Sequence, residues 1–199
     1  MAGQSVTGIC NRALQLVGSA QRIMNITDNS REARAVNATY DYCRRQELRT
    51  HPWNFAIKRA QLSNDVAPPA FDEQYAFTLP ADCLRVLVPF EASDDWQVEG
   101  RKILSTSALP LNLRYIADIE DPTVFDPSFC EALAARIAMA IVEDMTQSTA
   151  KQQQLAQVYK NFLGEARKAD ALENTPVAPP DSDWITSRMQ TSRQLWWSN

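Results

Sequence analysis

The sequence predicts an α+β fold: an antiparallel bundle of about four helices, a small antiparallel β-sheet inserted into it, and an extended C-terminal arm. Three observations predict it. The stretch 129–145, FCEALAARIAMAIVEDM, is apolar on nearly every side of its helical wheel, as a helix surrounded by other helices must be. Between about residues 53 and 116 the helical period on either side gives way to short β-prone runs broken by Pro, Asp, Ser or Gly. Beyond residue 174 no period remains.

Length and composition bound the architecture. With 199 residues and 45% hydrophobic content the chain can bury a sizeable core, but two full domains would be cramped. The division this implies is a body over 1–173 and an arm over 174–199. Twenty Lys plus Arg against 24 Asp plus Glu give a net charge of −4, so the chain lacks the overall basic footprint of a nucleic-acid binder. Cys10, Cys43, Cys83 and Cys130 are widely spaced and form no C-x-x-C pair, which predicts reduced, buried thiols rather than disulfides or zinc ligands. No run reaches the roughly 18 apolar residues of a membrane span, and no signal-like segment opens the chain. A soluble protein made in the cytoplasm is expected.

The first helix, about 5–18, places Val6, Ile9, Cys10, Ala13, Leu14, Leu16 and Val17 on one side, with Asn11, Arg12 and Gln15 opposite and Gly18 as the stop. The second, about 28–50, is capped by Asp28 or Asn29, turns Ala33, Val36, Tyr40, Cys43 and Leu48 inward, and ends at Pro52. On its outer side Arg31, Arg34, Arg45 and Arg49 fall within about 60° of one another at roughly 100° per residue. That basic ridge on an acidic chain is either a solvated face with local ion pairs, to Asp41 for example, or a contact surface for another subunit or for nucleic acid.

The inserted sheet, about 53–116, draws on Trp53–Leu62, Gln74–Leu79, Leu84–Val88, Trp96–Val98, Lys102–Leu104 and Leu111–Ile116. Glu99-Gly100 reads as a tight hairpin turn and Pro68-Pro69 as a loop. A few short strands need a partner surface for their apolar face. The central helix, about 127–145, has Asp126 as its cap, Pro127 in its first turn and Glu131 near its positive end. The last helix, about 149–172, groups Leu155, Val158, Tyr159, Phe162, Ala166 and Ala169 and packs back on the central one. The arm TPVAPPDSDWITSRMQTSRQLWWSN has three prolines and three of the five tryptophans. Aromatic side chains without a core of their own predict docking, with Trp184, Ile185, Leu195, Trp196 and Trp197 as anchors.

Catalytic constellations are missing from the sequence. His51 is the only histidine, has no Cys or carboxylate at metal-ligand spacing, and reads as a helix-terminal structural residue. A Cys-His pair with Cys43 or Cys83 has no motif behind it. Asp94-Asp95 and the cluster Asp118, Glu120, Asp121, Asp126 are the only candidates for paired hydrolytic carboxylates, and Asp before Pro more simply starts turns and caps helices. The five glycines are too far apart for a phosphate-cradling loop. No catalytic, cofactor-binding or metal-ligating residues are therefore assigned.

Several strings in order, ICNRALQLVGSAQRI, NSREARAVNATYDYCRRQELRTHPWNFAIKRAQL, YAFTLPADCLRVL, VEGRKIL, LRYI and DPSFCEALAARIAMAI, resemble the tail tubular protein A family of short-tailed bacteriophages. The resemblance covers about residues 5–172; HPWNFA and LPADCLRVL are its most specific parts. It implies a non-enzymatic virion protein of the tail or neck, assembled in the host cytoplasm. A ring of twelve copies would sit between the portal protein and the tail nozzle protein, around the channel for DNA ejection. It also implies that the C-terminal arm reaches the portal, and that DNA passes without specific binding. Heterologous contacts in a ring would set the ridge Arg31, Arg34, Arg45 and Arg49 of one copy against an acidic face of the next, with Asp118, Glu120 and Asp121 as candidates. Two other functions follow from the residues alone: a polysaccharide-degrading tail-associated enzyme using the exposed carboxylates, and a DNA-contacting module using the arginine ridge.

Overall fold

Capping groups set where each helix begins in the computed structural model, which describes residues 5–87, 96–106 and 110–173. The Ser5 hydroxyl accepts the Gly8 N–H at 3.0 Å to start α1 (Val6–Val17), and Gly18, at φ 93°, ends it by donating its N–H to the Leu14 and Gln15 carbonyls. The cap of α2 (Arg31–Thr50) is Ser30, whose hydroxyl accepts the Ala33 N–H at 3.1 Å, and not Asp28 or Asn29. Asp28 is occupied one turn earlier, accepting the N–H groups of Met24 and Asn25 at 2.8 and 2.9 Å. The central helix α3 (Pro127–Thr146) starts as predicted, with Asp126 accepting the Ser128 and Phe129 N–H groups and Pro127 in the first turn. After a two-residue turn through Gln147 and Ser148, α4 (Thr149–Leu172) runs back along it.

α3 touches all three other helices. Its Phe129, Cys130, Ala132, Leu133, Ala134, Ala135, Ile137, Ala138, Ile141 and Val142 are all buried, and the alanines let its neighbours approach closely. The predicted inward stripe of α2 is buried in full. So are Arg44 and Glu47, which the stripe did not include. Asn11, placed by periodicity on the outer side of α1, instead clamps the loop after it: its side-chain amide donates to the Ile23 carbonyl and accepts the Ile23 N–H, both at 2.9 Å.

Among the described residues six strands lie between α2 and α3: β1 (Ile57–Leu62), β2 (Tyr75–Thr78), β3 (Cys83–Val86), β4 (Trp96–Glu99), β5 (Lys102–Ser105) and β6 (Leu111–Ala117). The class is α+β, but the insertion is two antiparallel three-stranded sheets, ordered β1-β6-β3 and β2-β5-β4, and not one. Each sheet supplies the other's partner surface. Phe77 and Ile103 from one meet Leu113, Tyr115, Ala117 and Cys83 from the other in a second, smaller core. Ile116, on the opposite face of β6, belongs to the helical core. The β-prone runs told where strands lie; they carry no information on which strand pairs with which.

Two local details also moved. Trp53–Ala56 is not strand: Asn54–Ala56 form a 3-10 turn that drops the Trp53 ring against Phe129, with centroids 5.1 Å apart. The β4–β5 hairpin pairs Glu99 with Lys102, so its turn residues are Gly100 and Arg101, one step later than predicted. Gly100 takes φ 57°, the left-handed conformation such a turn requires.

Candidate functional site

Where the insert meets the helices, buried polar groups set the geometry. Asp170 on α4 reaches across to the α2–β1 corner, its Oδ2 3.0 Å from His51 Nε2 and its Oδ1 accepting the Asn54 N–H at 2.8 Å. Its backbone carbonyl accepts from Asn54 Nδ2 at 2.8 Å. The Trp53 indole N–H donates to the Glu47 carbonyl at 3.0 Å. One turn inward, the fully buried Glu47 carboxylate accepts from Arg136 of α3 at 3.0 Å and from the Tyr159 hydroxyl of α4 at 2.8 Å. Burial, followed by the Glu47 charge, pushes the Tyr159 hydroxyl up to about 12. Three helices are thus tied through one carboxylate, and the corner HPWNFA is fixed to a fourth point on α4.

All four residues of the predicted arginine ridge are exposed, and the structure divides them between the two ends of α2. Near its start, Arg31 donates to the Asp144 carbonyl at the end of α3, and Arg34 to the Asn29 side chain at 2.7 Å. Toward its end, Arg45 and Arg49 line a groove of about 450 Å³ shared with Leu79, Cys83, Arg85, Trp96, Val98 and Arg101. Arg85 and Arg101 come from the insert and were not singled out by the sequence. The sequence signals for them are the turn position of Arg101 after Gly100 and the place of Arg85 within LPADCLRVL.

Charge in this groove is only partly balanced. Asp118 accepts from Arg44 at 2.5 Å and pairs with Arg45 at 3.1 Å, and Asp41 lies 3.5 Å from Arg44. The guanidinium of Arg49 donates to the Leu84 carbonyl, and that of Arg101 to the Pro80 and Cys83 carbonyls; these bonds orient the cations without neutralising them. Arg85 has no hydrogen-bond or ion-pair partner among the described residues. Three guanidinium charges therefore face the groove without a carboxylate partner among the described residues. Asp118, offered by the sequence as an acceptor for a neighbouring copy, already serves Arg44 and Arg45 of its own chain.

No protein-family model matches the chain, and no curated protein matches it. The other predicted positions can be placed directly. Asp121 accepts the Thr123 N–H and hydroxyl, which hold its carboxyl below the usual range; Asp126 caps α3. His51 is turned to Asp170 and packed edge-on against Trp53 rather than against a thiol. All four cysteines are free and buried, and burial pushes the Cys10 and Cys130 thiols up to about 12, far from reactive thiolates. Among the described residues no group of three or more His, Cys, Asp or Glu could hold a metal ion, and no helix is long and apolar enough to cross a membrane. Asp94, Asp95, Trp184, Ile185, Leu195, Trp196 and Trp197 lie outside the described residues.

Proposed function

We propose that this chain is a structural, non-catalytic adaptor of a short-tailed bacteriophage virion, a ring of twelve between portal and tail nozzle that forms part of the DNA-ejection channel. One observation carries the reading: the strings behind the resemblance fall at joints of the fold. HPWNFA is the corner that Asp170 and the aromatic cluster lock to the helices. LPADCLRVL contains β3 and the carbonyls that Arg49 and Arg101 grip. Such joints hold an insert rigidly on a helical wall, a useful property in a part that transmits load between two machines. Trp184, Ile185, Leu195, Trp196 and Trp197 serve as portal anchors in this reading, and the ridge arginines as subunit contacts.

The hydrolase alternative is less favoured, because three of the four described members of its carboxylate set, Asp118, Asp121 and Asp126 but not Glu120, are engaged as an ion-pair acceptor and as caps. The test is the mass of the purified chain with and without portal protein, by native mass spectrometry or light scattering. Ring formation on the portal is expected, with docking lost when residues 175–199 are deleted while helix content is kept. A chain that stays monomeric with the portal present would defeat the proposal.

A further inference from the structure

We infer that the arginine groove is a docking site for an extended acidic peptide segment of a partner protein, which adds as a strand to β4, an edge strand among the described residues. Two sheet edges border the groove. In the order β1-β6-β3, β3 is an edge; in the order β2-β5-β4, β4 is the other. They are not equivalent. The β3 edge is already covered, since Arg49 caps the Leu84 carbonyl and Arg101 the Cys83 carbonyl.

β4 has no such cover among the described residues. Its two-residue hairpin pairs Glu99 with Lys102 and Gln97 with Leu104 as the bonded pairs, so the N–H and C=O groups of Trp96 and Val98 point away from β5. A strand added there would lie about 4.8 Å from β4, on the side where the groove opens. The side chains of Trp96 and Val98 also line the groove, and Val98 is 45% exposed, so alternate positions of the added strand meet apolar surface. Among those groove-facing positions, acidic side chains reach Arg49, Arg85 and Arg101, which line the same groove and whose planar forks match carboxylates in two-point hydrogen bonding.

Nucleic acid fits less well. The groove is small and bounded by two strands, its main-chain groups suit another main chain, and the net charge of −4 opposes a long polyanion. The inference goes beyond the adaptor reading and does not depend on it.

The test uses the full chain and a fluorescein-labelled octapeptide, Asp-Thr-Val-Thr-Asp-Thr-Val-Thr, which sets Asp and Val in turn on one face of a strand, followed by fluorescence anisotropy at low and physiological salt. Saturable binding is expected, reduced on the order of tenfold by Arg85→Glu and less by Arg85→Gln, and unchanged by Lys160→Glu at an exposed position of α4. A peptide N-methylated at alternate residues should bind comparably weakly, because it lacks the donors that pair with β4. Since Arg85 has no hydrogen-bond or ion-pair partner among the described residues, both Arg85 variants should keep the wild-type circular dichroism spectrum. No binding at low salt, equal binding by Arg85→Glu, or indifference to N-methylation would each overturn the inference. So would a single-stranded oligonucleotide that binds more tightly than the peptide and loses its affinity with Arg85→Glu.

Discussion

The helical body and the two-sheet insert reach stability by different routes. In the body, one nearly all-apolar helix is ringed by three others, and the fully buried carboxylate of Glu47 is held by groups from two neighbouring helices. In the insert, no strand exceeds seven residues, the shared core rests on Phe77, Leu79, Cys83, Ile103, Leu113, Tyr115 and Ala117, and the ion pairs lie toward the surface. Lys58–Asp82 and Lys102–Asp65 have lysines about half exposed, whereas Glu47 is fully buried. The difference teaches that the same residue types do different work: a carboxylate organises the body from inside and trims the insert from outside.

Three experiments sharpen or break that contrast. The largest effect should come from Glu47→Ala, which strips the buried partner from Arg136 and Tyr159 and should cost about 3–5 kcal/mol in urea unfolding. A loss under about 1 kcal/mol would mean that the helices do not depend on this carboxylate.

Next, Ile137→Ala in the helical core and Ile103→Ala in the sheet core should each cost about 2–5 kcal/mol, with the helical site toward the upper end because its surroundings are less able to collapse. Both should shift one common transition followed by far-UV circular dichroism and tryptophan fluorescence. Two separated transitions in Ile103→Ala would show that the insert unfolds on its own and that the corner clamp does not couple it to the body.

The smallest effect concerns Asp82, whose carboxyl is held below the usual range by the hydrogen bond from Lys58, and secondarily by that from Tyr115. A folded-state value below the unfolded one adds stability at neutral pH, and that increment disappears as pH falls through the folded value. Wild type should exceed Asp82→Asn by under about 1 kcal/mol at pH 7, since the pair is partly exposed, and the gap should close in acid. A gap that widens in acid would reverse the assignment.

Much of this was legible in the residues themselves. Caps at Asp126 and Gly18, the stripes of α1 and α2, the all-round apolar α3 and the positions of six strands follow from local periodicity and turn chemistry, which depend on neighbours close in the chain. The arginine ridge was visible for the same reason, since residues 31, 34, 45 and 49 share one helix face. Its division was not: which arginines meet a carbonyl of α3 and which meet β3 depends on groups up to 113 positions away.

The sequence by itself determined the class, the order of elements and most of the helical apolar side chains that go inside, because burial in a regular element is written in its period. Only the tertiary structure decided that the insert is two facing sheets, that Glu47 sits at the junction of three helices, and that Arg85 and Arg101 join Arg45 and Arg49 around one groove. Strand pairing and charge convergence are set by long-range packing, and a periodic pattern carries no record of which distant residue stands opposite.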